Sequence, residues 1–231
     1  MSRKKPVLIG ASVAVGALFG AIMLLRTRQP DFTVMVDRQA QFLQQRGYLL
    51  GDEDAFDYYY RAISTLRAHG ATVQHVQAMS ADDVLFRETR DNVMEYLRNA
   101  ARQRECGMPE PRLFQNSIQH KNMNIDVEDV SSLVPLYMRR VLDLATQNDS
   151  ADPGYVCFAI GVQLSRYRGH DVLWMRAIVT KIKALDWLVS YYEQVEDKES
   201  LTAVRDLRAQ AEIEFEQCDN VLKKRRLWPW R

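Results

Sequence analysis

Residues 152–194 read DPGYVCFAIGVQLSRYRGHDVLWMRAIVTKIKALDWLVSYYEQ, and the clearest helix boundary in the chain lies at their start. Asp152 can cap the start of a helix, and Pro153 is favourable in its first turn, so these two residues predict that a helix begins here. We expect it to run to Arg168, because Gly169 favours a helix end and Asp171 can cap the next helix. That next helix carries an apolar stripe of Trp174, Ile178, Ile182, Leu185, Val189 and Tyr192. Two helices joined by so short a link become antiparallel neighbours, which predicts a helical hairpin.

The chain on either side of this hairpin also has helical periodicity. A last helix is expected from about Ser200 to Arg226, with an inner stripe of Val204, Leu207, Ala211, Phe215, Cys218 and Leu222. Before the hairpin, Ser132 can cap a helix that holds Pro135 in its first turn, where the missing N–H does no harm. The inward-facing residues of that helix are Leu133, Leu136, Tyr137, Val141 and Leu144. The back of the chain is therefore predicted to be a helical bundle.

The front of the chain is predicted to be helical as well. One helix is expected from Phe32 to Arg46, closed by Gly47, and a second lies in DAFDYYYRAISTLRAHG, ended by Gly70. The inner stripe of the second contains Phe56, Tyr59, Tyr60, Ile63 and Leu66. Ser80 with Asp83 resembles a capping box, and the helix it opens has an inner stripe of Phe86, Val93, Leu97 and Ala101. No run alternates with period two, so no sheet is expected and the fold class is all-α.

Composition divides the chain into five parts. Residues 1–29 form an apolar first segment, 30–105 a front helical part, 106–128 a connector, 129–226 a back hairpin bundle, and 227–231 a basic and aromatic tail. The connector holds two prolines, polar amides and few apolar residues, as long loops do. Successive hairpins are typical of helical-repeat proteins, although no self-similar motif recurs at a fixed period.

Charge is unevenly distributed along the chain. Ten of the 31 basic residues lie in the two terminal segments, which leaves 21 against 30 acids, so residues 30–222 carry roughly −9. Nucleic-acid binding requires a basic surface that neutralises phosphates. The sequence therefore predicts a protein that does not bind nucleic acid.

The run from Val7 to Leu25 has nineteen residues and no charge. As a helix it would be about 28 Å long, close to the hydrocarbon thickness of a bilayer. A cleaved signal peptide is the alternative, with Ala14-Val15-Gly16 as its best cleavage site, but cleavage there would leave nine further apolar residues on the mature protein. We expect a retained signal-anchor, a single transmembrane helix that binds the bilayer through residues 7–25.

Flanking charges and small residues suggest how this anchor is arranged. Arg3, Lys4 and Lys5 outweigh Arg26 and Arg28, so the amino terminus is expected in the cytoplasm and the helical body is expected to be exported. Small residues recur every fourth position at Ser12, Gly16 and Gly20. Such a stripe lets a second helix approach closely and predicts a homodimer through the anchor, unless it only reflects how common glycine and alanine are in membrane helices.

The segment FAIGVQLSRYRGHDVLWMRAIVTKIKALDWLVSYYE, from Phe158 to Glu193, resembles the core of small membrane-anchored helical proteins that are numerous in planctomycete-type bacteria. The resemblance rests on a helix ending in Arg- and His-like residues that is paired with a long apolar helix. That family has no established activity. The resemblance therefore implies an anchored, all-helical protein and assigns no catalytic residue.

Signals for catalysis or metal binding are weak. Cys106, Cys157 and Cys218 are widely spaced and odd in number, which indicates neither a disulfide framework nor a zinc site. We expect Cys157 and Cys218 to be small core residues; one disulfide is the alternative if the body is exported. Glycine-rich phosphate loops and the common hydrolase and metalloprotease motifs do not occur in the sequence. We expect no catalytic site, no metal and no cofactor.

Two polar clusters are candidates for binding. RYRGHD holds Arg166, Arg168 and His170, which could contact an anionic ligand, although cations are also favourable at any helix C-terminus. The tail could contact a membrane or a partner protein, or be solvated, and its candidate residues are Lys223, Lys224, Arg225, Arg226, Trp228 and Trp230.

The sequence favours a membrane-anchored, non-catalytic helical scaffold or adaptor that binds a partner protein, with a subunit of a larger membrane complex as a variant of that role. The alternative is a small-ligand-binding or enzymatic helical domain with a polar site near Arg166 and His170.

Overall fold

The structure, a computed structural model, describes residues 32–107, 127–145, 150–166 and 171–227. The chain forms two compact units, Met1–Met35 and Val36–Arg231. In the first unit only residues 32–35 are described, and they are helical. In the second unit the packing between helices defines the fold.

Eight helices and two short strands make up the described residues. In chain order they are α1 (Phe32–Gln44), β1 (Gly51–Asp54), α2 (Ala55–Ala68), α3 (Val73–Ala78), α4 (Val84–Arg102), β2 (Gln103–Glu105), α5 (Val127–Leu144), α6 (Asp152–Ser165), α7 (Asp171–Gln194) and α8 (Lys198–Leu227). The predicted all-α class is confirmed. Gly47 and Gly70 have φ of +86° and +76°, which agrees with the helix ends predicted there.

Helix α6 lies at the centre of the bundle. Every residue from Gly154 to Ser165 is buried, because α6 packs against α4, α5 and α7, and its Phe158 ring meets Phe42 of α1. A helix that is apolar all round is stable only when it is enclosed in this way. Helix α7 packs on α6 and on α8, so the predicted hairpin is confirmed.

Two glycines bring α6 close to α7. A Cβ at position 161 would lie 3.1 Å from the Ala177 carbonyl oxygen and 2.6 Å from Lys181 Cγ. One heptad earlier, a Cβ at position 154 would lie 2.7 Å from Leu188 Cδ2. Glycine at these positions removes side chains that would separate the two helices.

A buried glutamine joins α6 to the front of the chain. The Gln163 amide nitrogen donates to the carbonyl oxygens of Ala100, at 2.8 Å, and Gln103, at 2.6 Å. Its amide oxygen accepts a hydrogen bond from the Tyr59 hydroxyl. These bonds fix the C-terminal end of α4 against α2 and α6, where unsatisfied carbonyls would be costly.

The expectation of no sheet was wrong, because β1 and β2 form a short parallel pair. Strands of four and three residues are too short to show alternation in the sequence. The Asp54 carboxylate, at the end of β1, caps α2 through the Phe56 N–H at 2.9 Å and accepts from the Gly107 N–H at 2.6 Å.

Several helix boundaries differ from their predictions. The N-cap of α4 is Asp83, which accepts from the Leu85 N–H at 2.8 Å, so the Ser80 capping box was wrong. Helix α3 was not predicted. Helix α5 begins at Val127, so Pro135 lies inside it and cannot donate to the Ser131 carbonyl. Arg176 of α7 donates to the hydroxyls of Ser131 and Ser132 beside this proline.

Candidate functional site

An open cleft of about 580 Å³ lies between α4, the C-terminal end of α5 and the start of α6. Its volume falls within the range of about 300–1,000 Å³ that is typical of binding pockets. Its walls come from three helices that the bundle core holds in place. The cleft is therefore a formed surface feature and the strongest candidate for a binding site.

The long wall of the cleft is one stripe of α4. Arg87, Arg90, Met94 and Arg98 follow one another at steps of three and four residues, which places them on one helix face. The stripe from Arg87 to Arg98 is about 16 Å long, at 1.5 Å per residue. It is long enough to lie against about three turns of a partner helix.

The floor of the cleft is apolar. Phe86, Met94 and Val141 are almost fully buried there, and Leu144 is half-buried. Pro153, in the first turn of α6, adds an apolar edge. An apolar side chain that enters the cleft would be removed from water against these residues, which is favourable.

The three arginines on the rim of the cleft differ in how closely an acidic side chain pairs with them. Arg98 Nε lies 2.7 Å from Asp152 Oδ2, and the Tyr48 hydroxyl donates to Asp152 Oδ1 at 2.7 Å. Burial raises the pKa of Tyr48, and the bond to Asp152 raises it further. Arg90 is 3.4 Å from Asp91, and both are well exposed. Arg87 makes no ion pair within the described ranges.

A second polar cluster lies in the core and not at the surface. Lys181 Nζ of α7 donates to Gln39 Oε1 at 3.1 Å, to Ser165 Oγ at 3.3 Å and to the Glu214 carboxylate. All four residues are buried. The cluster joins α1, α6, α7 and α8. Because it is enclosed, its evident effect is to fix the relative positions of these helices.

Sequence reasoning missed both of these features. Lys181 is in phase with the predicted stripe of α7, between Ile178 and Leu185, and a lysine on an apolar stripe is the signal that could have found it. The cleft could not be found in this way, because it depends on how α5 and α6 meet α4.

The predicted anionic-ligand residues are only partly described. Arg166 is exposed and donates to the Arg104 carbonyl oxygen at 2.9 Å, so one of its N–H groups binds backbone. Arg168 and His170 lie outside the described residues. The small-ligand alternative at these residues therefore stays a prediction.

The other predicted contact residues lie mostly at or beyond the ends of the described residues. Lys223 pairs with Asp219 at 2.5 Å within α8, and the last turn of that helix contains Lys224, Arg225 and Arg226. Trp228 and Trp230 fall outside the described residues, as do the predicted helix-packing residues Ser12, Gly16 and Gly20.

The three cysteines are all buried, and they form no disulfide with one another. Burial raises the pKa of the Cys157 thiol to about 12. Cys157 and Cys218 are fully enclosed, which confirms that they are small core residues. Within the described ranges, no three or more His, Cys, Asp or Glu residues form a group that could hold a metal ion.

Comparison with family models, curated proteins and solved structures finds no match to this chain. None of the described helices combines the length and the apolarity that a membrane crossing requires. The predicted anchor, residues 7–25, lies outside the described residues.

Proposed function

We propose that this chain is a membrane-tethered helical adaptor, without catalytic activity of its own, that binds a segment of a partner protein. The observation that carries this proposal is the cleft along α4, with its apolar floor and arginine rim. Helix-in-groove binding uses such surfaces, because apolar anchors enter the floor while flanking charges fix the register.

The chemistry of the cleft defines the partner segment. Apolar side chains fit the floor of Phe86, Met94 and Val141, and an acidic residue fits beside Arg87, whose charge has no ion-pair partner among the described residues. Arg90 is exposed, and a second acid would compete there with its solvent-exposed pair to Asp91. We infer an amphipathic segment of about three helical turns with acids along one side of its apolar stripe.

The attachment of α1 supports the tether. Residues 26–35 separate the predicted anchor from Val36, and Gln39 then enters the buried Lys181 cluster. Farther along, Arg46 Nε donates to the Tyr155 hydroxyl at 2.8 Å, and its guanidinium lies 3.6 Å from the centre of the Phe42 ring. The bundle core therefore holds α1 from Val36 onward, a short distance along the sequence from the predicted anchor.

The test is affinity purification of the tagged full-length protein in mild detergent, followed by quantitative mass spectrometry. The cleft variant Arg87→Glu/Arg90→Glu is compared with the control Arg61→Glu/Arg205→Glu. Both variants change the net charge equally, and the control residues are exposed on α2 and α8, outside the cleft. We expect at least one protein to be enriched with the wild type and the control, and reduced at least tenfold with the cleft variant.

Two results would contradict the adaptor proposal. One is that no protein is enriched over an untagged sample. The other is that every enriched protein is recovered equally with the cleft variant and the wild type. A photo-crosslinking residue in place of Ala81, an exposed and uncharged residue of the cleft lining, adds a direct test, because a bound partner segment would be captured there and not at position 61.

A further inference from the structure

A second surface groove, separate from the cleft, lies between α5 and α7 and has a volume of about 420 Å³. Leu136, Arg139, Arg140 and Asp143 occupy one face of α5, and Val179 and Lys183 occupy the facing side of α7. Gln77 of α3 also lines the groove. Helices α5 and α7 pack directly against each other, so the positions of these side chains are set by the core beneath them.

Three cations and one carboxylate line this groove, and two of the cations contact the carboxylate. Lys183 Nζ lies 2.7 Å from Asp143 Oδ1, and Arg140 reaches Asp143 Oδ2 at 3.8 Å. Arg140 Nε donates to the Met79 carbonyl oxygen at 2.5 Å, which holds this side chain across the groove. The lining therefore has an excess of two positive charges, in a body whose net charge is roughly −9.

Arg139 is the least compensated cation of the groove, because Asp143 acts on it only through its field and Arg176 acts against it. It makes no ion pair with any residue in the described ranges, and its Nε donates only to the Pro135 carbonyl oxygen at 3.3 Å. Its side chain is half-buried, and its pKa is lowered chiefly because burial removes water from the guanidinium. A half-desolvated arginine whose pKa is also lowered by the nearby cation Arg176 is stabilised when an anion enters.

The number and type of these groups select among anions. A phosphate monoester carries about −1.5 to −2 charges near pH 7 and three acceptor oxygens. It would neutralise the excess charge of the groove, whereas a carboxylate or a phosphodiester supplies only one negative charge. The fork of Arg139 can donate two parallel hydrogen bonds to such a group, and Lys183 adds a point charge.

We propose that the groove between α5 and α7 binds a phosphate monoester through Arg139, Arg140 and Lys183. The phosphate could belong to a lipid headgroup, since the chain is expected to be anchored in a membrane, or to a soluble phosphorylated compound. This inference does not depend on the adaptor function, because it uses a different surface and different residues.

Calorimetric titration of the full-length protein in nonionic detergent at pH 7.5 tests the proposal. The probes are glycerol 3-phosphate, dihexanoyl phosphatidic acid, dihexanoyl phosphatidylglycerol and dihexanoyl phosphatidylcholine. We expect the two monoesters to bind at least tenfold more tightly than the two diesters. Equal Kd values for the monoesters would indicate a soluble ligand, and a Kd at least tenfold lower for phosphatidic acid would indicate a lipid headgroup.

Variants assign the binding to the groove. Arg139→Gln and Lys183→Gln are each expected to raise the Kd of the monoesters at least tenfold, while the control Arg61→Gln/Arg205→Gln leaves it unchanged. If Arg139→Gln loses its helical circular dichroism, the Kd of Lys183→Gln alone tests the assignment, because the Lys183 side chain is more exposed. The proposal is overturned if neither monoester binds to the folded wild type, if the diesters bind equally well, or if Lys183→Gln binds like the wild type.

Discussion

Replacing Lys181 with methionine tests how the core is held together. The change keeps most of the side-chain volume but leaves the Glu214 carboxylate without its cation, in a place with no access to water. Removing one partner of a buried pair typically costs about 3–5 kcal/mol, since the remaining charge is uncompensated. For a chain of this size we expect the melting temperature to fall by about 6–20 °C.

The double variant Lys181→Met/Glu214→Leu separates this effect from a general loss of packing. With both charges removed, the largest remaining defect is at Gln39 Oε1. In the wild type this oxygen accepts a hydrogen bond from Lys181 Nζ at 3.1 Å, and the variant lacks that donor. One unsatisfied buried acceptor costs about 1–3 kcal/mol, so the double variant should be more stable than the single one. Arg205→Met is the surface control, because its exposed pair with Glu193 is worth about 0–1 kcal/mol.

Urea unfolding of the full-length protein in detergent, followed by circular dichroism at 222 nm, measures all four free energies of unfolding. The reasoning is refuted if Lys181→Met stays within about 1 kcal/mol of the wild type, well below the cost of an unpaired buried charge. It is also refuted if the double variant is less stable than Lys181→Met.

Three further results are expected. Gly161→Ala should lower the free energy of unfolding by about 1–3 kcal/mol, because the new methyl group meets backbone atoms of α7. Gly154→Ala should lower it by less, because the methyl group there meets only side chains, and urea unfolding compares the two variants. Gln163→Leu should cost about 2–4 kcal/mol in the same assay, since two carbonyls and a hydroxyl lose their buried partner. Ellman's reagent at pH 8 should modify the thiols of the native protein slowly, because all three are buried and burial raises the pKa of Cys157 to about 12. After unfolding in guanidinium it should modify all three thiols, and fewer than three would indicate a disulfide.

The raised pKa of Cys157 also sets the sign of a pH dependence. The folded thiol has a higher pKa than the unfolded one, about 8.5, so its contribution to stability is complete below that pH. The contribution is lost as the pH rises toward 12. Tyr137, whose burial raises its pKa to about 12, acts in the same direction.

The helical architecture could be predicted because local signals and burial agree along most of the chain. Pro153 lies in the first turn of α6 as predicted, Gly47 and Gly70 end helices, and the stripe of Trp174, Ile178 and Leu185 faces the core. The predicted cap was wrong, because the N-cap is Ala151 and the Asp152 carboxylate accepts from Tyr48 and Arg98 instead. The predicted helix boundaries were wrong where contacts with residues distant in the sequence determine the structure. Pro135 suggested a helix start, yet the longer helix α5 includes it, packed beside Arg176 of α7.

The buried polar clusters and the binding surfaces were harder to predict, because lysine, arginine and glutamine usually lie on the surface of a protein. Lys181 and Gln163 are polar residues that the fold buries and satisfies with partners more than 30 residues away in the chain, such as Glu214 and Ala100. The cleft and the basic groove depend on the packing of α4, α5, α6 and α7, which no local pattern specifies. Candidates that adjoin one another in sequence, such as Arg166 and His170, were easier to notice.

We propose that an uncleaved first segment tethers this helical body to a membrane. The test is intact-mass spectrometry of the protein that remains in membranes after carbonate extraction. We expect the alkali-resistant fraction to hold a chain that still contains residues 7–25. A chain that begins near residue 17 or later and is released into the carbonate supernatant would contradict the claim.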